Sequence, residues 1–523
     1  MSYRPSHSGF RFAATRSDFN FILVAATCLI ASWSGRALAD DAIVRPHRLH
    51  QHISGFGASS AWTAQTMDDA TADLLFSVDS GVGLSLLRVR IVPDGTTWEL
   101  ATAQQAVARG ASVWATPWSP AATFKSNDNV NFGGKLLPED ADAWAASLAN
   151  FVVTMKNQGV NLLALSAQNE PTTGSSDGAT CSSNPMDPDY ARSCIGYEAC
   201  TYTPTELGDF IASHLAPALS AAGANVQVMG PETQGWTDFS KYWSSFSAAA
   251  GNAVNVIATH EYNGTPAEYP DIEQSGRELW ETEISDPTAF DPTSKKSLPD
   301  PGIGSGLRVA GMINAALTVG DVSAWHYWWI NPGSDDNSGL FAFGTTPPAP
   351  VKRLYAMGNY SRFVRPGYFR IGADLSATSG VALSAFVDSA TDGGSRKLVV
   401  VAINQTNQPI TQKFRFDGYT TGSWQAWVTS DSLDLAPAPA IPDNGGGDFD
   451  YQLAAQSITT LQGVTTGKGP AIALNSSQDN LPPDEAGCQC RAAAGASSAP
   501  SAWPFALVSV LVAGRAIRRR TVG

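Results

Sequence analysis

Short apolar runs recur along the first two-thirds of the chain. Longer segments between them carry apolar residues three and four positions apart. The runs are residues 53–57, 84–91, 112–116, 162–167, 226–229, 254–260, 278–280 and 322–329. Most have the length and the Val, Leu, Ile and Ala content of a buried strand. The segment 138–158 begins at Pro138 and places Trp144, Leu148, Phe151, Val152 and Met155 on one helical face; 204–222 reads the same way. Strands alternating with helices of this length predict parallel packing. Eight such units predict a (β/α)8 barrel over 53–349, with a doubly wound sheet as the rival arrangement.

After residue 350 the pattern changes. The runs Phe369–Gly372, Val381–Val387, Lys397–Ile403, Gln412–Phe416 and Ser423–Val428 follow one another with Gly, Asp and Asn between them. No long helical pattern intervenes. This predicts an all-β sandwich over 350–475, attached to the barrel and joined by a strand from residues 40–52.

The two ends predict export. Arg11 and Arg16 precede the apolar run 21–30, and Ala37-Leu38-Ala39 supplies small residues for cleavage before Asp40. Residues 1–39 therefore read as a signal peptide, too short in its apolar part for a membrane span. Residues 476–523 open polar and small, pass through the apolar stretch 503–513, and end in Arg515, Arg518, Arg519 and Arg520. That order predicts a linker with a sorting or anchoring tail, and it resembles the C-terminal sorting tails of myxobacterial surface proteins. A secreted or surface-attached monomer follows, with transient membrane contact through the tail. Cys181, Cys194 and Cys200 lie close together; export permits a disulfide, but three cannot all pair with one another. Their spacing lacks a nearby His, so no zinc site is expected.

A net charge of −14 and a pI near 4.9 exclude nucleic acid as a natural partner. Fifteen Trp and 13 Tyr supply flat faces for sugar rings as well as core mass. In a barrel the chemistry sits at the C-terminal strand ends. The second strand ends on Arg88 and Arg90, and Trp114 and Trp118 flank the third. The fourth offers Gln168, Asn169 and Glu170; the sixth His260, Glu261 and Tyr262; the seventh Glu281 and Glu283; the eighth Trp325 to Trp329. Glu170 and Glu283 lie three strands apart in order and can meet across the mouth. Glycoside hydrolysis needs such a pair, one carboxyl to protonate the leaving oxygen and one carboxylate to attack the anomeric carbon. Strand alternation gives Glu281 the same facing as Glu283, so periodicity leaves both open. Glu261 is a further carboxylate, read as a supporting or core-facing group.

At this point the chain resembles glycoside hydrolase family 30, over about residues 43–475. The resemblance rests on Gly55-Phe-Gly57, Leu87-Arg-Val-Arg-Ile91, Ala115-Thr-Pro-Trp-Ser119, Ala167-Gln-Asn-Glu-Pro171, Leu279-Trp-Glu-Thr-Glu283 and the segment 358–367. It implies a barrel with a tightly joined β-sandwich and a retaining mechanism without metal or organic cofactor. It implies Glu170 as acid/base and Glu283, rather than Glu281, as nucleophile. Asn169 is implied to position the sugar 2-hydroxyl, and Tyr262 to bond the nucleophile. Trp118, Trp328 and Trp329 are implied to line the cleft, and Arg90 to bond a site carboxylate. Trp62 and His260 complete the expected substrate-binding set. The stretches 55–62 and 326–330 are most similar to the bacterial xylanase branch, with β-1,6-galactanase and glucosylceramidase as neighbouring branches. Many enzymes of the xylanase branch read a glucuronate with an arginine in the loop after strand eight. Here that loop, 331–339, holds two Asp and no Arg, which predicts xylan cleavage without strict dependence on glucuronate. The rival of another class is a carbohydrate-binding surface protein without catalysis.

Overall fold

The computed structural model describes residues 41–173, 196–291, 293–294, 296–375, 380–389 and 395–466. The expected signal peptide, the expected tail, Cys181 and Cys194 lie outside them. The described residues form nineteen strands, β1 to β19 in chain order. A first strand, β1 (Ala42–His52), precedes the barrel. The barrel strands are β2 (Gly55–Ser59), β3 (Leu86–Ile91), β4 (Ser112–Pro117), β5 (Leu162–Ser166), β6 (Gln227–Thr233), β7 (Val256–Thr259) and β8 (Glu278–Glu281). A small hairpin, β9 (Ala289–Asp291) and β10 (Lys296–Leu298), follows, and β11 (Ala324–Trp329) completes the ring. The barrel closes in the order β11-β2-β3-β4-β5-β6-β7-β8, with every neighbouring pair parallel. The expected eight-strand barrel is what the chain forms.

The barrel interior is filled by Leu86, Trp114, Ala164, Met229, Val256, Ala258, Trp280 and Ala324. Two indoles in so narrow a tube demand small neighbours. Gly57 is one: a Cβ there would lie 2.6 Å from the Leu86 carbonyl oxygen and 2.7 Å from the His326 ring. His326 fits between the indoles with both nitrogens engaged. Its Nε2 accepts from Trp114 Nε1 at 3.0 Å, and its Nδ1 lies 3.0 Å from the Glu281 carbonyl. Burial pushes its pKa down to about 3, so the ring is neutral, as one donor and one acceptor require. Outside the ring, helices Ala141–Asn157 and Ile303–Thr318 bury their apolar faces on the strands.

The segment after residue 350 opens differently from the expectation. Lys352–Ser361 is a helix, packed against Ile303–Thr318 and β2. Its sequence hides it because it is buried on nearly all sides: Arg353, Leu354 and every residue from Ala356 to Ser361 are buried. No polar face remains to mark a helical period. Asn359 ties it to the side domain, accepting from Thr429 Oγ1 at 2.6 Å and donating to Thr460 Oγ1 at 2.9 Å.

The side domain comprises β12 (Phe369–Asp374), β13 (Val381–Val387), β14 (Lys397–Asn404), β15 (Ile410–Phe416), β16 (Trp424–Thr429), β17 (Ala436–Ile441), β18 (Phe449–Leu453) and β19 (Ser457–Val464). With β1 they form one sheet of nine strands, ordered β17-β16-β19-β14-β13-β12-β1-β15-β18. It is thus a single curled sheet. Phe416 on β15 and Phe449 on β18, near one end, pack on Trp424 of β16, near the other, with ring centroids 4.9 and 5.4 Å away. No helix among the described residues is long and apolar enough to cross a membrane.

Candidate active site

The strand β5 ends where its pattern breaks. The Asn169 N–H donates to the Pro117 carbonyl at 2.9 Å, and the Glu170 N–H to the Glu232 carbonyl at 2.9 Å. Both bonds tie the tip of β5 to its two neighbours. Glu170 adopts φ +43°, in the left-handed region that non-glycine residues avoid, and Glu232 at the tip of β6 does the same at +52°. The turn presents the Glu170 carboxyl to the barrel mouth, where Thr173 Oγ1 donates to its Oε2 at 3.0 Å.

Glu283 lies just past β8. Tyr262 Oη donates to its Oε1 at 2.9 Å, and an Arg88 Nη1–H bonds its Oε2. Carboxylate oxygens of Glu170 and Glu283 and a ring nitrogen of His260 all lie within 4.8 Å of one another. The two carboxyls therefore face each other at short range. His260, fully buried, stands between them: Nδ1 is 3.2 Å from Glu170 Oε1, and Nε2 is 3.8 Å from Glu283 Oε2.

A third carboxylate lies beneath this pair. Glu232, also fully buried, accepts from Arg88 Nη2 at 2.7 Å and from Thr116 Oγ1 at 2.7 Å, and lies 3.6 Å from His260 Nε2. Arg88 is therefore shared between Glu283, Glu232 and the Asn169 side-chain carbonyl. Its guanidinium lies 4.5 Å from the Trp118 ring centre and 5.6 Å from that of Trp328, which adds cation–π attraction.

Burial opposes every charge in this cluster, and the partners decide the outcome. Burial works against the Arg88 charge, but Glu232 and Glu283 outweigh it and raise its pKa. For Glu232 burial is outweighed by Arg88 and then His260, which hold it below the ordinary carboxylate range. For Glu283 burial prevails over the pull of His260 and Arg88, and Glu170 adds to it, so the pKa is raised. His260 resists burial because Glu283, Glu170 and Glu232 surround it, and its pKa rises to about 10. It is an imidazolium at neutral pH.

Above the carboxyls opens a cavity of about 680 Å³, walled by Trp62, Thr63, Trp118, Tyr197, Gln234, Tyr262, Trp328, Trp329 and Gly333, with Glu170 and Glu283 at its floor. The Trp62 and Trp118 ring centres are 4.8 Å apart, and Trp328 stacks on Trp329 at 4.7 Å. A wide aromatic cleft over two carboxyls is suited to a sugar chain.

The model of the glycosyl hydrolase family 30 TIM-barrel domain matches residues 85–282. Over 440 residues the chain is 31% identical to the protein named Glucuronoxylanase XynC of Bacillus subtilis (strain 168), across 81% of this chain and 92% of that one. The chain belongs to glycoside hydrolase family 30. Among solved structures it is similar to the family 30 subfamily 8 xylanase Xyn30A from Clostridium acetobutylicum, with TM-score 0.67, 32% identity, and 81% and 99% of the two chains covered. It is also similar to a family 30 endoxylanase from Clostridium papyrosolvens C71, with TM-score 0.64, 31% identity, and the same coverage of 81% and 99%. The protein is a glycosidase related to bacterial endo-xylanases.

In this family 30 enzyme Glu170, Glu283, Trp62, Trp118, Tyr262, Trp328 and Trp329 all meet at the cavity. Tyr262 is 38% exposed, its ring at the cleft edge and its hydroxyl turned in to Glu283. Asn169 is buried, with its side-chain carbonyl held by Arg88. Two expectations are corrected. The arginine that bonds a site carboxylate is Arg88; Arg90 makes an ion pair with Glu198 and lies 5.0 Å from the Trp62 ring centre. Both share one facing on β3, but Arg90 is one pleat nearer the rim and overshoots Glu283. His260 is fully buried between the carboxyls and takes no part in the cavity wall.

Glu281 is distinguished from Glu283 by its contacts. Its two oxygens accept the backbone N–H groups of Glu283 at 2.9 Å and His326 at 3.0 Å, so it is spent on holding the backbone. The sequence reading missed Glu232. The fifth apolar run ends at residue 229, whereas β6 continues to Thr233; the available signal was a Glu at a strand tip, as in the fourth and seventh strands. Among the described residues Cys200 is a buried free thiol.

Proposed function

We propose that this enzyme is an endo-acting retaining glycosidase that hydrolyses β-1,4-xylosidic bonds in xylan, without requiring a glucuronate branch. The observation that carries the mechanism is the short separation of Glu170 and Glu283, with oxygens within 4.8 Å. Retaining enzymes hold the two carboxyls about 5–5.5 Å apart, while inverting ones leave about 6.5–9.5 Å for a water between them. In the first step a Glu283 oxygen bonds the anomeric carbon as the glycosidic C–O bond breaks, and Glu170 gives its proton to the departing oxygen. In the second step Glu170 takes a proton from water, whose oxygen displaces Glu283 with net retention. Asn169 is assigned to the sugar 2-hydroxyl, and the tryptophans to stacking on the pyranose rings.

Two similar solved structures are named as a xylanase and an endoxylanase, which favours xylan. The branch preference rests on charge. Loop 331–339 carries Asp335 and Asp336 and no arginine. Among the described residues the cavity wall carries no lysine or arginine either. A uronate arriving there meets carboxylates and no fork of donors. This departs from the named substrate of the Bacillus relative. Product analysis on unbranched xylan, glucuronoxylan and β-1,6-galactan tests the reading. Comparable cleavage of the two xylans is expected; cuts on glucuronoxylan alone, placed by the branch, would overturn the branch argument. Cleavage of galactan alone would overturn the xylan assignment.

A further inference from the structure

We propose that Glu232, which touches neither the cavity nor the substrate, is a positioning residue whose negative charge keeps one proton on the catalytic pair and whose Oε1 aims Arg88 at Glu283. The proposal rests on the reading of Glu170 and Glu283 as that pair. Three carboxyls, Glu170, Glu232 and Glu283, share a buried space with two cations, Arg88 and His260. Two cations balance two carboxylates. The third carboxyl is in excess, and in a buried site an unbalanced charge is costly, so the cluster retains one proton. A retaining glycosidase needs that resting state, one carboxyl charged and one protonated. Remove the Glu232 charge and the two remaining carboxylates are balanced by the two cations. The retained proton is then held less tightly.

The geometry gives Glu232 no other use. It is 0% exposed, and its neighbours come from several strands: Arg88 on β3, Thr116 on β4, Ser166 on β5, His260 after β7 and His326 on β11. Its backbone carbonyl holds the Glu170 N–H at 2.9 Å, so one residue fixes the backbone of one member of the pair and the counter-ion of the other.

The test is the pH profile of kcat/KM on xylan for the wild type, Glu232→Gln and Glu232→Asp. The Gln side chain keeps the shape and loses the charge. Its alkaline limb is expected to move to lower pH by about one unit, with kcat down about 10- to 100-fold and KM within about threefold. The Asp variant keeps the charge and pulls it back from Arg88; it is expected to lower kcat with the limbs in place. A Gln variant whose limbs do not move would overturn the proposal, whatever its activity, because a merely structural residue lowers kcat without moving them. If the Gln variant does not fold, nitrogen-15 histidine spectra of the wild type decide. Of the seven histidines, one is expected to stay doubly protonated at pH 8 and to lose that state in Glu232→Asp only at a lower pH than in the wild type. The absence of any such imidazolium removes one of the two cations and with it the proposal. A wild type that cleaves no glycan would bring down the retaining reading itself; a wild type that is active and a Glu283→Gln variant that is dead leave that reading standing whatever Glu232 does.

Discussion

Replacing Arg88 by lysine should cripple the enzyme while leaving its net charge unchanged. The guanidinium serves Glu283, Glu232 and Asn169 at once, with two separate nitrogens. An ammonium at the end of a flexible stem is a point donor and cannot hold that fork. It keeps the Coulomb attraction and one bond, so at least two charge-assisted hydrogen bonds are lost or bent. Each is worth about 1.5–3 kcal/mol. Taking the low end for both gives about 3 kcal/mol, which at ~1.4 kcal/mol per decade is about a hundredfold in kcat/KM. The loss should fall on kcat, since Arg88 is buried behind Glu283 and does not reach the cavity wall. The assay is initial-rate release of reducing ends from xylan, with circular dichroism and a thermal melt to show that the variant is folded. A folded lysine variant within about threefold of wild type in kcat/KM would refute the claim that the fork aims the nucleophile. The methionine variant gives the contrast. It leaves the carboxylates with His260 alone, and breaking a buried ion pair costs about 3–5 kcal/mol, so its melting temperature should drop well below that of the lysine variant.

Tyr262→Phe removes the 2.9 Å bond to Glu283 Oε1, so kcat/KM should fall about 10- to 100-fold. Glu283 also loses a donor to its charged form; the acid limb of the pH profile should move up, and a limb that moves down contradicts this. The melting temperature should decline from pH 5.5 to pH 9. Burial pushes Glu99 to about 7 and Glu261 to about 8, and the surrounding carboxylates outweigh burial to hold His260 at about 10. All three bind a proton more tightly folded than unfolded. Their stabilisation is complete below the unfolded values, about 4.3 for Glu and about 6.5 for His, and is lost as pH rises through the folded ones. A melting temperature at pH 9 equal to that at pH 5.5 would contradict the shifts. Gly57→Ala forces a methyl to within 2.6 Å of a backbone oxygen, so a loss of about 1–3 kcal/mol is expected by denaturant titration, and no loss would show that the barrel floor has slack.

The barrel was legible because its eight strands are apolar runs with turn chemistry between them, and the carboxyl pair because each glutamate follows such a run. The helix Lys352–Ser361 was not, because burial on all sides erased its period. The choice between Arg88 and Arg90 was not, because both share a strand facing and only the depth of the barrel separates them. Glu232 was missed because the fifth run ends at residue 229, short of the strand tip. The arginine choice failed because a strand pattern reports which face a residue takes, while the chemistry here depends on how far down the barrel it sits.

The strand β1 lies inside the nine-strand sheet, antiparallel to β12 on one side and parallel to β15 on the other. The side domain is therefore built from both ends of the described residues, with the whole barrel between them. Synthesis delivers β1 more than 300 residues before β12, which begins at Phe369. Until then the strand has no place to go, and such distant pairing is slow. The barrel must take shape while the opening strand waits, and that pairing then locks the order of assembly. A shortened chain lacking residues 42–52 would leave a gap in the middle of the sheet, so trimming from the front is far more disruptive than the domain boundary suggests.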